Sequence, residues 1–557
     1  MPPSLHRLVG RERRRGVPGT AVGEIGHLFE DTFARGKRTL FALASILVAL
    51  AGCTGSPSED SPAAPSATSP PSVQFLGPER LTKPTTLRAK ARAGSGRVVA
   101  VTFVLDGKPL GSDTVAPYAL DVDPAALPAG KHQLRVVTVD NLARRSSSEP
   151  ARVSISTSAS SVLSAGPGER FRHAVAALRR GNVTVRLAPG RYEVRQLRLG
   201  SGARIVGSGP KTVIAPRPGA RYWAIVVAKG SNIRISNLTV DGGGPMANSE
   251  DAGIAVAVFD GSRDVRLHGL RITNVRTHGV NVWGAHSNIS VQDSLIESDG
   301  SAQAGVFVLG SDRSRDTSVI RTRIRGFRSF GILLGQKEYG RQEAALHGLA
   351  LDNHISDIRD PARDACVYSE RTASGCGTNE GGIWTGGVEA AIIGNTVLRA
   401  RWDGIETVGS STRTTIVGNE IRTTRTGIYL EHSTNHSLIS RNLIVATEAA
   451  INVEWRHEGQ GSSHNVFANN RVVAARDVGL FVDVGGDSNR ITGNVFVAGR
   501  RPAIVLQGSS NNLVRGNLGC KGPVGSIVGM QTARWDDGRL AESQGNRLAG
   551  NRRVTSC

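Results

Sequence analysis

Glu431, Glu454 and Asp483 each close a five-residue phrase: Gly427-Ile-Tyr-Leu-Glu431, Ala450-Ile-Asn-Val-Glu454 and Gly479-Leu-Phe-Val-Asp483. The phrase recurs as Gly404-Ile-Glu-Thr-Val408 and Ala503-Ile-Val-Leu-Gln507. If the phrases stack, their closing carboxylates form a column, with Glu406 diagonal to Glu431. Like charges on neighbouring strands, about 4.8 Å apart, repel and persist only where a proton or a cation is shared. The column Glu406, Glu431, Glu454 and Asp483 is therefore a candidate for acid–base or cation chemistry. His432 and the run Trp455-Arg456-His457-Glu458 leave the same strands, making His432 and Arg456 candidate proton acceptors. Trp283, Trp384 and Tyr429 offer flat rings suited to sugar faces. Asn452, Asp403 and His457 are candidate polar contacts beside them.

The phrases can do this only as strands of a regular stack. Positions two and four are apolar while one, three and five are small, polar or aromatic, which is the alternation of a half-buried strand. A second phrase, out of phase with the first, ends in Asn419, Asn442, Asn470, Asn494 and Asn517. A period in this range with β patterning calls for a solenoid, and the solenoid is a parallel β-helix. Glycines 253, 279, 305 and 331 start earlier coils of the same kind. With 67 glycines and 4% aromatic residues in 557, the chain has the composition of a turn-rich β protein. Its formal net charge of +21 suits anionic polymers. The basic residues are scattered, and no nucleic-acid-binding motif is present, so no nucleic-acid partner is expected.

The start of the repeating region carries a resemblance. Glu169 to Leu178 has helical spacing with Gly181 as a stop, and it is followed by Leu187-Ala-Pro-Gly-Arg-Tyr192 and Ile205-Val-Gly-Ser-Gly209. This resembles the N-terminal cap and first coil of the pectate-lyase-like right-handed β-helix family, over residues 160–557. A cap is needed because an open solenoid end exposes core and a sheet edge. The resemblance implies an active site on the strand after the long turn, where the carboxylates lie. It also implies an internal ladder of stacked asparagine amides. It is specific for fold and poor for function, since the fold hosts lyases, hydrolases, epimerases, tailspikes and adhesins.

Upstream, the apolar run 39–51 follows Arg35, Lys37 and Arg38 and ends in Leu50-Ala51-Gly52-Cys53, which resembles the bacterial lipobox. The resemblance implies a signal region over 1–52, lipidation of Cys53, and display on the extracellular face of the cell membrane. Residues 53–73 are a Ser/Pro-rich tether. Residues 74–157 carry short strands and an Asp106-Gly107 hairpin turn. They resemble the immunoglobulin-like β-sandwich modules of bacterial surface proteins, which are usually spacers. The expected class is all-β: a small immunoglobulin-like sandwich preceding a right-handed parallel β-helix. In an exported protein the four remaining cysteines are expected as disulfides, Cys366–Cys376 closing an inserted loop beside the groove and Cys520–Cys557 pinning the C-terminal tail.

Three functions compete. A cation held by Glu431, Glu454 and Asp483, calcium being the candidate, would neutralise a uronate carboxylate while His432 or Arg456 takes the neighbouring proton. That is lyase or C5-epimerase chemistry, and the positive net charge favours it. Two carboxylates alone serve a glycoside hydrolase, the roughly 5 Å spacing of adjacent rungs suiting retention and wider pairs inversion. A glycan-binding adhesin or scaffold needs neither.

Overall fold

In a computed structural model the described residues are 69–554, without 123, 125–126, 157–161, 244–251, 337–345, 360–380, 424, 447, 455–460, 475–476, 498–500, 521–526 and 536. The signal region, the lipobox and Cys53 lie outside them, as do Cys366, Cys376, Cys557, Arg456 and His457. Each expected disulfide therefore involves a cysteine outside the described residues. No described helix is long and apolar enough to cross a membrane.

The repeating region is a parallel β-helix of three sheets. Sheet 1 has 15 strands, from Leu163–Ala165 to Arg547–Ala549; sheet 2 has 14, from Gly190–Val194 to Arg552–Val554; sheet 3 has 13, from Leu197–Leu199 to Val528–Gln531. Each complete coil contributes one strand to each sheet, Leu163–Ala165 preceding them and Arg547–Ala549 and Arg552–Val554 following, and the pairing is parallel throughout. Inward side chains stack by type. In sheet 3, Ile383, Ile405, Ile428, Ile451, Leu480 and Ile504 lie on successive rungs and are fully buried. At the N-terminal end a helix, Glu169–Arg180, covers the first coil with Phe171, Ala174 and Leu178.

The asparagine ladder is longer than the sequence period suggests. Asn353, Asn395, Asn419, Asn442, Asn470, Asn494 and Asn517 each pass a side-chain N–H to the next amide oxygen at 2.9–3.0 Å, the last acceptor being Asn551. Each amide also meets main-chain groups: Asn442 Nδ2 donates to the Ile416 carbonyl, and Asn442 Oδ1 accepts the Asn419 N–H. The turn's polar groups are thereby satisfied inside the protein.

The immunoglobulin-like sandwich packs Leu87, Phe103, Leu134, Val136 and Ile155 between its sheets. Asp106 and Gly107 both take positive φ, 47° and 80°, as a two-residue hairpin turn requires. The module does not stand off as a spacer. Val99, Ala100 and Val139 pack against Ile320, Leu351 and Ile393 on the outer face of sheet 1. Gln292 exchanges two hydrogen bonds with the Ser112 backbone, both 2.9 Å. Arg321 donates to Ser112 Oγ while paired with Asp293.

Candidate functional site

The outward face of sheet 3 depends on a bend at the phrase's first residue. A Cβ on Gly404 would strike the Ile421 side chain on sheet 2 and come within 2.6 Å of the Gly427 carbonyl. Gly382 and Gly427 are confined in the same way. Position one therefore faces inward, contrary to the expectation from strict alternation. Two inward residues in succession, Gly404 and Ile405, put Asp403 and Glu406 together on the outer face. The pairing keeps this through the stack. Gly381, Asp403 and Thr426 form one outward column, and Trp384, Glu406, Tyr429 and Asn452 the next.

The third column follows as expected, since the ladder runs on past the strands. The Glu431 N–H donates to the Thr407 carbonyl (2.8 Å), Glu454 to Leu430 (3.2 Å) and Asp483 to Val453 (2.8 Å). The four carboxylates nonetheless do not share one solvent-facing trough. Asp483 is 0% exposed and lies under a turn in which Gly486 N–H donates to its carbonyl oxygen. Glu431 and Glu454 are only partly buried. Among the described residues no three His, Cys, Asp or Glu side chains converge closely enough to hold a metal ion. Glu431, Glu454 and Asp483, the residues expected to hold calcium, share a column that aligns their backbones, while their side chains differ in burial.

The acidic centre lies instead at Asp403 and Glu406, each 1% exposed. Burial pushes the Asp403 carboxyl up to about 7; Glu431 and Glu448 push the same way, while Arg425 and a hydrogen bond from Thr426 oppose them. Burial also holds Glu406 well above the usual carboxylate range. The charges of Asp403 and Glu431 add to the rise, and a hydrogen bond from Trp384 and the charge of Arg425 oppose it. Glu406 Oε2 has no hydrogen-bond partner. Burial and the neighbouring carboxylates Glu431, Glu454, Glu406 and Asp403 push the Tyr429 phenol up as well. Its hydroxyl lies 3.5 Å from Glu431 Oε1, and His432 Nε2 lies 3.4 Å from the same oxygen. Asn452 donates to Glu454 Oε2 at 2.8 Å.

The rings separate into two groups. Trp384 is buried with Phe307, Phe330, Leu333 and Val408, so its ring is not an open platform. Trp283 belongs to a half-buried aromatic cluster nearer the N-terminal end. The sequence reading missed Arg425, whose guanidinium lies 4.9 Å from the Trp402 ring centre and 3.4 Å from Glu448. The signal was present two residues before Gly427, in the place equivalent to the approach to Gly404 that Asp403 already marked.

Residues 314–513 match the family described as periplasmic copper-binding protein (NosD), and residues 71–136 match the bacterial Ig domain. No curated protein matches the chain. Solved structures similar to it include the A-module of a mannuronan C-5 epimerase from Azotobacter vinelandii, at 14% identity and a TM-score of 0.37, over 70% of this chain and 96% of that one. A periplasmic alginate epimerase is 13% identical with a TM-score of 0.41, over 70% and 89%. A family 28 exopolygalacturonase from Yersinia enterocolitica is 13% identical with a TM-score of 0.38, over 88% and 97%.

Proposed function

We propose that this protein processes a uronic-acid polysaccharide by lyase or C5-epimerase chemistry centred on Asp403 and Glu406. The observation that carries this reading is the pair of buried carboxyls, both held toward their protonated forms on the outward face of one long sheet. A neutral carboxylic acid donates a hydrogen bond to a substrate carboxylate without repelling it. That bond strengthens as negative charge moves onto the carboxylate when the neighbouring C–H proton leaves. Two ionised carboxylates at the same place would exclude an acidic sugar. Arg425 adds the positive charge nearest the pair among the causes of both shifts. His432 is the candidate to accept the proton, and the protonated Tyr429 hydroxyl can return one.

Hydrolysis is a second reading, favoured by one observation: a carboxyl near pH 7 beside the negative charge of Glu431 is the pairing of a glycosidase acid with its partner. Incubation of the protein with mannuronan, polygalacturonate and a neutral glucan separates the readings. A lyase produces ultraviolet-absorbing unsaturated ends, an epimerase changes the sugar configuration without cleavage, and a hydrolase releases reducing ends without absorbance. Binding with no product on any polymer would leave an adhesin or scaffold. The lipobox-like run places the protein, on this reading, outside the membrane with lipid on Cys53; loss of radiolabelled fatty-acid incorporation in Cys53→Ser is the matching test.

A further inference from the structure

The aromatic cluster around Trp283 lies on the same outward face as the acid pair, four rungs away through the strands His278–Gly284, Ala304–Gly310, Phe330–Gln336, Gly381–Gly386 and Asp403–Val408. At the usual strand spacing this is about 19 Å. Trp223, Phe259 and Trp283 come from three successive coils. Their ring centres are 5.3 Å (Trp223–Phe259), 5.4 Å (Trp223–Trp283) and 6.5 Å (Phe259–Trp283) apart. The rings pack against a cluster that includes Val227 and Ala257. All three remain half-buried rather than enclosed.

A second observation at the same place points to a ligand. Asn281, two residues before Trp283 on the same face, is 1% exposed, and its Oδ1 has no hydrogen-bond partner. Its Nδ2 is committed, donating to His278 Nδ1 at 3.1 Å, while His278 Nε2 donates to Gln303 Oε1 at 3.0 Å. Burial pushes the His278 imidazole down to about 4, and a neutral ring carrying its proton on Nε2 satisfies both bonds. The amide therefore holds an unused acceptor on the strand of Trp283, and its rung neighbour is Ala257 of the aromatic cluster. A flat apolar ring with one well-placed acceptor suits a pyranose, which has an apolar C–H face and hydroxyl donors at its rim.

We propose that Trp223, Phe259, Trp283 and Asn281 form a distal subsite for a sugar ring of the polymer whose reacting unit lies at Asp403 and Glu406. The proposal rests on the polysaccharide reading above. It adds that the protein grips its substrate several sugars from the reacting one, so that long chains bind better than short ones.

The test uses the full-length protein with size-fractionated mannuronan and polygalacturonate fragments, both short and long enough to span the four rungs. Binding is measured calorimetrically on wild type, Trp283→Ala, Phe259→Ala, Asn281→Ala and, as a conservative control, Trp283→Phe. The expected result is an affinity loss of about tenfold for long fragments in the alanine variants. Short fragments should be unaffected, Trp283→Phe should be largely rescued, and thermal unfolding should be close to wild type. Equal loss on short and long fragments, or no loss on long ones, overturns the proposal. Turnover in the same samples keeps the two claims apart. Product formation without a length effect removes the distal subsite alone, whereas a length effect without product on any polymer removes the enzymatic reading and keeps the subsite.

Discussion

Asp403 folds into a place that resists its charge, which costs stability wherever the group must ionise. Its pKa rises from 3.8 to about 7, so between those values the folded chain holds a proton that the unfolded chain has released. The stability from that proton is full below about pH 4 and is lost as pH rises through 7. Asp403→Asn, which has no charge to bury, should therefore stabilise the protein at pH 8, on the order of 1–4 kcal/mol, with little change at pH 4. Urea unfolding at the two pH values checks this, and an equal effect at both would contradict it. Because Asp403 and Glu406 influence each other, they titrate as a pair. Arg425→Gln removes the cation that favours ionisation, so the alkaline fall of activity should shift to higher pH. An unchanged pH profile would show that Arg425 does not act on the pair. The sequence exposed Glu406 through its place in the phrase but undervalued Asp403, because alternation alone assigns the glycine, and not the residue before it, to the outer face.

At the scale of the strand and the turn, the solenoid rests on two repeats that tolerate little change. Gly404 leaves no room for a methyl group between Ile421 and the next rung. Gly404→Ala should destabilise by about 1–3 kcal/mol and disturb the bend that pairs Asp403 with Glu406, so activity should fall with stability. Asn442→Ala removes one amide from a continuous ladder, leaving the Asn419 N–H and the Ile416 carbonyl without their partner. A loss of about 1–3 kcal/mol is expected from unfolding measurements, with the chemistry of the acid pair retained in the folded fraction. Strand register was legible because inward and outward residues alternate and a slip of one would reverse every side chain. The side-chain environment of Asp483 was not legible, since it depends on the turn around Gly486 rather than on the strand.

Across the whole molecule, the sandwich and the solenoid share a contact that no repeat announces. Isolated Ile, Leu and Ala residues on sheet 1 strands look like ordinary coil residues until Val99, Ala100 and Val139 cover them. Combining Gln292→Ala with Arg321→Ala should free the sandwich, read as faster limited proteolysis within residues 69–156 while the solenoid remains resistant. The excess of positive charge acts at longer range and suits the acidic polymer proposed as substrate. The most direct measurement of the central claim is the initial rate on an acidic polysaccharide, for wild type, Asp403→Ala and Glu406→Ala, from about pH 5 to about pH 9. The account predicts a rate that falls as pH rises through neutrality in the wild type, and a loss of about a hundredfold to a thousandfold in both variants, which keep no donor, with folding intact. Wild-type rates from both alanine variants would contradict it.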